Sequence, residues 1–319
     1  YWRGPVFWRT DGRRWLPRGA RQSTGRESIA SYQRLGSALH YTVTLEPHQQ
    51  RWLFALDLPA KVETAHRITS DYLVLADRAI REVRRYRAAS YVDYRTPTLG
   101  AAERRQALQL PLQISPRIQA LVTRWRRSAS TPEGMVALAL RYFREQPFVY
   151  TLNPPLLGRD PVDEFLFDTR RGFCEHYAAA FTTLMRAAGI PTRIVTGYQG
   201  GELNPIGNYL IVRQSDAHAW TEVYLPERGW VRVDPTAAVA PQRIEHSTQP
   251  VLDEVGDPLR LRIPAPDLLA RWARDTRYVR AGLRTGRTHG PPGSGPRPTR
   301  RPLGALGWTG GSQGGLVRA

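Results

Sequence analysis

Apolar residues recur at three- and four-residue spacing between a Gly-Phe pair and a Gly-Ile-Pro sequence in the middle of the chain. This spacing predicts an amphipathic helix within residues 170–189, packed against a core. Gly189 suits a left-handed C-cap, and Pro191 prevents the helix from continuing. The residues that form the apolar face are Tyr177, Ala178, Phe181, Leu184, Met185 and Ala188.

Four short segments rich in β-branched and aromatic residues follow this helix. Gly, Pro, Asn and Asp residues separate them, so each is predicted to be a β-strand, and the last two are predicted to form a hairpin that turns near Pro226. The four segments are residues 193–199, 209–214, 218–225 and 230–234.

The chain before the helix alternates between apolar segments and turn-forming residues. Segments at 39–45, 51–57, 72–76 and 80–94 predict a small antiparallel β-domain. Residues 96–114 are predicted to be a linker.

Two further helices are predicted after this linker. Ser115 and Thr131 each place a capping hydroxyl before a proline at the first helical position. The proline-rich residues 147–169 are predicted to be a loop that walls a substrate groove.

These patterns divide the chain into three regions. Residues 1–106 are predicted to be a β-rich domain with its linker, and residues 107–245 a second domain built on the helix and four strands. Residues 246–319 are dominated at their end by Gly, Pro, Arg, Ser and Thr. This composition cannot bury a core, so the tail is predicted to be disordered.

Cys174 is the only cysteine among the 319 residues, and it falls in the first turn of the predicted helix. Unpaired N–H groups and the positive end of the helix dipole favour a thiolate there. A lone cysteine is also commonly a small buried apolar residue. The helix alone therefore leaves open whether Cys174 is a nucleophile.

The predicted hairpin supplies the partners that a nucleophilic cysteine needs. His218 and Asp234 are equally far from its turn, so they are expected to lie opposite or diagonal to each other. A histidine takes the thiol proton, and a carboxylate fixes its tautomer and orientation. Cys174, His218 and Asp234 are therefore the candidate catalytic residues.

Other polar residues near these positions fit catalysis less well. His176 lies about 200° round the helix from Cys174, so it is not expected to face the thiol. Asp216 is expected to shape the turn before His218. Glu222 shares the His218 face of its strand but lies too far along it to orient the ring.

Two stretches carry a specific family resemblance. GFCEHYAAAFTTLMRAAGIPTRIVTGY and SDAHAWTEVYLPERGWVRVDPT resemble the core of the transglutaminase-like superfamily. YWRGPVFW, PVDEFLFDTRRGFCEHYA and GGELNPIGNYLIVRQSDAHAW resemble the bacterial TgpA-type proteins of that superfamily. The resemblance implies an α+β fold with a papain-like core, with Cys174 as nucleophile, His218 as general base and acid, and Asp234 as the orienting carboxylate.

The resemblance also implies acyl transfer from glutamine carboxamides to amines through a thioester. The expected partners are a protein or peptide glutamine donor and an amine acceptor, with no cofactor and no metal. A protease or amidase that uses the same residues, and a catalytically silent cell-envelope scaffold, remain alternatives. Tyr150 is a candidate second donor to the oxyanion, beside the backbone N–H of Cys174.

The resemblance further places the catalytic domain on the outer, periplasmic face of a bacterial inner membrane. It implies attachment through membrane spans, but no apolar run near 18 residues occurs in this sequence. We therefore expect the chain to be part of a longer protein that carries those spans. A single cysteine excludes internal disulfides.

Net charge is the remaining feature that suggests a partner. The formal charge is +18, and Lys61 is the only lysine among 46 basic residues. The arginines are scattered and no nucleic-acid-reading motif accompanies them, so no nucleic-acid partner is expected.

Overall fold

The computed structural model describes residues 1–18 and 31–241, together with the backbone of a short strand at Gly314–Arg318. Most of the tail, 246–319, and with it the prediction of disorder, lies outside the described residues. The strand at Gly314–Arg318 was not predicted.

The N-terminal part of the chain forms strands, and each of the segments predicted at 39–45, 51–57, 72–76 and 80–94 contains at least one of them. The strands outside those segments were not predicted. In chain order, the strands of this part are β1 (Trp2–Thr10), β2 (Trp15–Pro17), β3 (Gln33–Leu35), β4 (Leu39–Leu45), β5 (Trp52–Leu53), β6 (Ala55–Leu56), β7 (Leu58–Val62), β8 (Arg67–Ile68), β9 (Val74–Leu75), β10 (Arg84–Tyr91) and β11 (Asp93–Arg95).

The remainder mixes helices and strands, so the described chain has an α+β fold. Its elements are α1 (Ala101–Ala107), α2 (Pro116–Ser128), α3 (Pro132–Glu145), β12 (Val149–Tyr150), α4 (Pro161–Glu164), β13 (Arg171–Gly172), α5 (Cys174–Ala187), β14 (Thr192–Tyr198), β15 (Glu202–Asn204), β16 (Tyr209–Arg213), β17 (Ala217–Leu225), β18 (Gly229–Val233) and β19 (Gly314–Arg318).

One antiparallel sheet carries the predicted site, and its strand order is β18-β17-β14-β1-β2, with β6 also paired to β1. The first strand of the chain therefore lies in the same sheet as the strands that bear His218 and the hairpin. The proposed domain boundary at residue 106 stays a prediction, and β1 pairs with β14 across it.

A second sheet has the order β15-β16-β19-β4-β10-β7. Through β19 it joins the long antiparallel pair β4 and β10 of the N-terminal region to β16, which follows α5 in sequence. A cluster that includes Tyr41, Val43, Phe54, Tyr86, Tyr198 and Val212 packs on it.

Glycine at position 197 allows β1 to join the first sheet. Arg3 is the register partner of Gly197, and a Cβ at residue 197 would lie 1.8 Å from the carbonyl oxygen of Trp2. Any side chain there would push the two strands apart, so the glycine fixes the N-terminal residues next to β14.

The caps predicted for the two helices before the site are confirmed. The Ser115 hydroxyl accepts from the N–H of Arg117 at 3.1 Å, and the Thr131 hydroxyl accepts from that of Gly134 at 3.1 Å. Helices α2 and α3 pack against α5 around a shared apolar cluster. Its largest members include Trp125, Phe143, Phe148, Phe165, Tyr177, Phe181 and Leu184.

The prediction of a linker over residues 96–114 is wrong for its middle, because Ala101–Ala107 forms α1. Gly100 caps this helix without a side-chain hydrogen bond, so the start lacks the usual sequence signal. Ala107 is buried with Trp8 of β1, and tertiary packing therefore stabilises this short helix.

No helix within residues 1–18 and 31–241 is long and apolar enough to cross a membrane.

Candidate active site

Helix α5 begins at Cys174, so this residue occupies the first helical position. Phe173 before it is extended, and its N–H donates to Nδ1 of His176 at 3.4 Å, which fixes the entry of the chain into the helix. A Cβ at Gly172 would lie 2.7 Å from the His176 ring, so glycine is needed for this folded-back cap. The sulfur is buried, with 2% of Cys174 exposed.

The hairpin of β17 and β18 brings the predicted histidine and carboxylate together. Thr221 pairs with Val233, so Asp234 lies diagonally across from His218. Nε2 of His218 and Oδ2 of Asp234 are 2.7 Å apart. The other oxygen, Oδ1, accepts from the N–H of Thr236 at 3.0 Å at the start of a 3-10 turn, Pro235–Ala238.

The surroundings of His218 favour its protonated form. Burial by itself lowers the pKa of His218, but the negative charges of Asp234 and of a Cys174 thiolate outweigh it and raise that pKa to about 9. Because Nε2 is bonded to Asp234, the buried Nδ1 is the nitrogen left for the sulfur. The three predicted residues thus form a sulfur–imidazole–carboxylate series.

Two protein-family models match the chain on either side of α1. The model of the transglutaminase-like superfamily matches residues 119–235, which include Cys174, His218 and Asp234. The model of the TgpA N-terminal domain matches residues 1–97.

A solved structure, the periplasmic domain of TgpA from Pseudomonas aeruginosa, has a TM-score of 0.74 and 44% identity to this chain. The match covers 79% of this chain and 87% of that domain. The chain belongs to the TgpA-type transglutaminase-like proteins.

Curated relatives of this TgpA-type chain are longer proteins. A protein-glutamine gamma-glutamyltransferase of P. aeruginosa is 46% identical over 253 residues, which are 79% of this chain and 37% of that protein. The uncharacterised protein YebA of Bacillus subtilis is 35% identical over 136 residues, 40% of this chain and 18% of YebA. The chain therefore spans well under half the length of these relatives.

The other polar residues considered from the sequence, His176, Asp216 and Glu222, make structural contacts in this TgpA-type chain. His176 caps α5, its ring lies against Phe165 and Phe173, and burial lowers its pKa to about 4. Asp216 accepts from the N–H of Arg213 at 2.7 Å and so shapes the turn, as predicted. The Glu222 carboxylate accepts hydrogen bonds from Arg3 and Arg193 instead.

Sequence reasoning missed Tyr1, whose hydroxyl donates to Oδ2 of Asp234 at 2.8 Å. The two residues are 233 positions apart, and no local pattern connects them. The only available signal was the resemblance of the first eight residues to TgpA-type proteins.

Aromatic side chains surround the sulfur in this TgpA-type chain. Trp15 and Phe173 pack in one cluster with Cys174, and Tyr150 borders it. Tyr150 therefore lies near Cys174, and its role as second oxyanion donor stays a prediction. Trp15 reaches this cluster from β2.

No group of three or more His, Cys, Asp or Glu residues in the described ranges is arranged to hold a metal ion.

Proposed function

We propose that the protein is a cysteine acyltransferase that acts on glutamine carboxamides of proteins or peptides and passes the acyl group to amines. The observation that carries this proposal is that Cys174, at the start of a helix, interacts with His218, and that His218 bonds Asp234 at 2.7 Å. The name of the P. aeruginosa relative, a protein-glutamine gamma-glutamyltransferase, supports the same reaction class.

The first half-reaction forms a thioester. The Cys174 thiolate attacks the carboxamide carbon, and the carbon–oxygen double bond opens to an oxyanion. The backbone N–H of Cys174 points out of the first helical turn and is free to stabilise that charge. As the intermediate collapses, His218 gives its proton to the departing nitrogen, the carbon–nitrogen bond breaks and ammonia leaves.

The second half-reaction regenerates the thiolate. Neutral His218 removes a proton from the incoming amine as its nitrogen attacks the thioester carbon, and the carbon–sulfur bond breaks. The products are an isopeptide and the initial thiolate–imidazolium pair. Asp234 holds the imidazole in one orientation through both steps and stabilises its positive charge.

Burial of the site strengthens the attraction between the Cys174 thiolate and the His218 imidazolium. His218 and Cys174 are both nearly inaccessible to solvent, and the aromatic residues around the sulfur lower the local polarity. Charges interact more strongly in such surroundings than in water.

The relative with a solved structure is a periplasmic domain. We place the present domain on the outer face of a bacterial inner membrane as part of the same proposal, attached through segments beyond this chain. The acyl donors would then be proteins or peptides of the cell envelope.

The test is incubation of the protein with a glutamine-containing peptide and a labelled primary amine, with Cys174→Ala as the control. Incorporation of the amine by the native protein and none by the variant supports the transferase. Ammonia release or peptide cleavage without incorporation would establish a hydrolase instead.

The pH dependence of thioester formation follows from the raised pKa of His218. Above a pH of about 9 the imidazolium loses its proton, and with it the acid that protonates the leaving ammonia. We expect the single-turnover rate of ammonia release to be level up to about pH 8 and to fall about tenfold per unit well above the pKa.

Asp234→Asn is the matched variant for this pH profile. Removing the carboxylate charge lowers the pKa of His218, because this charge opposes the effect of burial. The fall in the rate of ammonia release at alkaline pH should therefore begin at a lower pH. A rate that keeps rising through pH 10 in the native protein, or an unmoved profile in the variant, would contradict the assignment.

A further inference from the structure

Three groups bind the Asp234 carboxylate, and one of them is the hydroxyl of Tyr1, the first residue of the chain. Oδ2 of Asp234 accepts from the Tyr1 hydroxyl at 2.8 Å and lies 2.7 Å from Nε2 of His218, while Oδ1 accepts from the N–H of Thr236 at 3.0 Å. The phenol and the imidazole therefore share one oxygen, so a shift of either donor changes the other bond.

The ring of Tyr1 is itself fixed. The guanidinium of Arg232 lies over it, 4.2 Å from the ring centroid, and the edge of Trp220 meets it at a centroid distance of 5.1 Å. The N–H of Asp57 donates to the Tyr1 carbonyl at 3.1 Å, and the Asp57 carboxylate accepts from Arg232. Residues of the N-terminal region and of β17 and β18 thus hold the phenol in place.

We propose that Tyr1 is a positioning residue of the acyl-transfer site. Its hydroxyl keeps the Asp234 carboxylate ionised and fixed in the orientation that directs His218 toward Cys174. The inference rests on the proposed function. It makes the N-terminal region, through Tyr1, a contributor to the catalytic geometry.

The charged and titratable groups around Asp234 come from four elements. His218 approaches from β17, Tyr1 from the residue before β1, Arg232 from β18, and Cys174 from α5 across the imidazole. Burial alone raises the pKa of Asp234, but His218, the Tyr1 hydroxyl and the Thr236 N–H together hold it below its ordinary value. Loss of the phenol removes one of these contributions while the others stay.

The test is Tyr1→Phe, which keeps the ring and its packing and deletes only the hydroxyl. Cys174 is the only thiol, so its alkylation by iodoacetamide can be followed across the acid pH range without a glutamine substrate. We expect the acid limb of the alkylation profile to move up by about one pH unit, because a hydrogen bond to an ionised group is lost. The kcat for amine incorporation at neutral pH should fall about tenfold with KM unchanged.

Tyr41→Phe is the matched control. Its buried hydroxyl bonds Ser90 and the N–H of Leu56, which pairs with Trp2, so this variant disturbs the packing beside Tyr1 without removing a hydrogen bond to Asp234. This variant should lower the Tm without moving the acid limb. Both effects of Tyr1→Phe should disappear when it is added to Asp234→Asn, because the hydroxyl acts through that carboxylate.

Three results would overturn the positioning role. The first is an acid limb that does not move in Tyr1→Phe, and the second is an equal shift in Tyr41→Phe. The third is a full Tyr1→Phe effect in the Asp234→Asn background. Failure of the proposed function looks different. In that case the native protein incorporates no amine, while the alkylation profiles of the two tyrosine variants still report whether the phenol supports the pair.

Discussion

Replacement of His218 by alanine is expected to lower the rate of Cys174 acylation by about four orders of magnitude or more. The imidazole serves both half-reactions, first as the acid for ammonia and then as the base for the amine. Its removal also takes away the positive charge that faces the thiolate. The measurement is single-turnover ammonia release from a glutamine peptide, with the fold checked by circular dichroism.

His66→Ala is the matched control for this experiment, because His66 is exposed and lies in the N-terminal region. It should retain the native rate. A loss below about tenfold for His218→Ala, with the fold intact, would mean that the imidazole is not the partner of the sulfur.

Replacement of Glu222 by glutamine should lower the free energy of unfolding by about 3–5 kcal/mol, because it breaks a buried ionic cluster. Glu222 is 2% exposed and accepts from Nη2 of Arg3 at 2.9 Å and from Nε of Arg193 at 2.8 Å. Both arginines are buried as well. Glutamine has nearly the same shape but removes the negative charge that both guanidinium groups share, and Asp71, 3.5 Å from Nη1 of Arg193, then carries the remaining carboxylate charge near them. Urea unfolding at neutral pH measures the difference.

Glu202→Gln gives the comparison on the surface. Glu202 pairs with Arg213, but 59% of its side chain is exposed, so its loss should change the free energy of unfolding by about 0–1 kcal/mol. Equal effects of the two substitutions would show that the buried cluster adds no special stability.

The same cluster predicts a component of acid unfolding. Burial alone raises the pKa of Glu222, but the charges of Arg3 and Arg193 lower it to about 2. A carboxylate with a depressed pKa stabilises the fold fully above its ordinary value near 4.5, and this contribution is lost as the pH falls toward 2. The variant Glu222→Gln should lack this part of the acid sensitivity.

Elements with local signals were predictable from the sequence. Hydroxyl caps before proline placed α2 and α3, apolar spacing placed α5, and turn residues placed the hairpin of β17 and β18. The hairpin geometry then placed His218 beside Asp234, because diagonal pairs across a hairpin follow from the position of the turn.

Features that depend on contacts distant in sequence were not predictable in this way. The sequence pattern places residues 2–10 in a separate N-terminal domain. In the structure they form β1, which pairs with β14 because Gly197 allows the two strands to approach closely. Tyr1 reaches Asp234 only through that pairing. Helix α1 lacks a side-chain cap and is stabilised by packing, so its sequence resembles a linker.

The residues at and just before the start of β1 connect the N-terminal region to the site. Arg3 of β1 binds Glu222 of β17, and Tyr1 binds Asp234 after β18, so the same short segment contacts both the ionic cluster and the site. Changes that displace β1 are therefore expected to reduce both stability and acylation.

The measurement that tests the central claim most directly is detection of the thioester on Cys174. The native protein is mixed with a glutamine peptide, quenched in acid and digested, and the fragment that contains Cys174 is examined by mass spectrometry. The account predicts a fragment heavier by the donor peptide less ammonia, which disappears when an amine is added before the quench. Amine incorporation that persists in Cys174→Ala, with no adduct on the native cysteine, would contradict it.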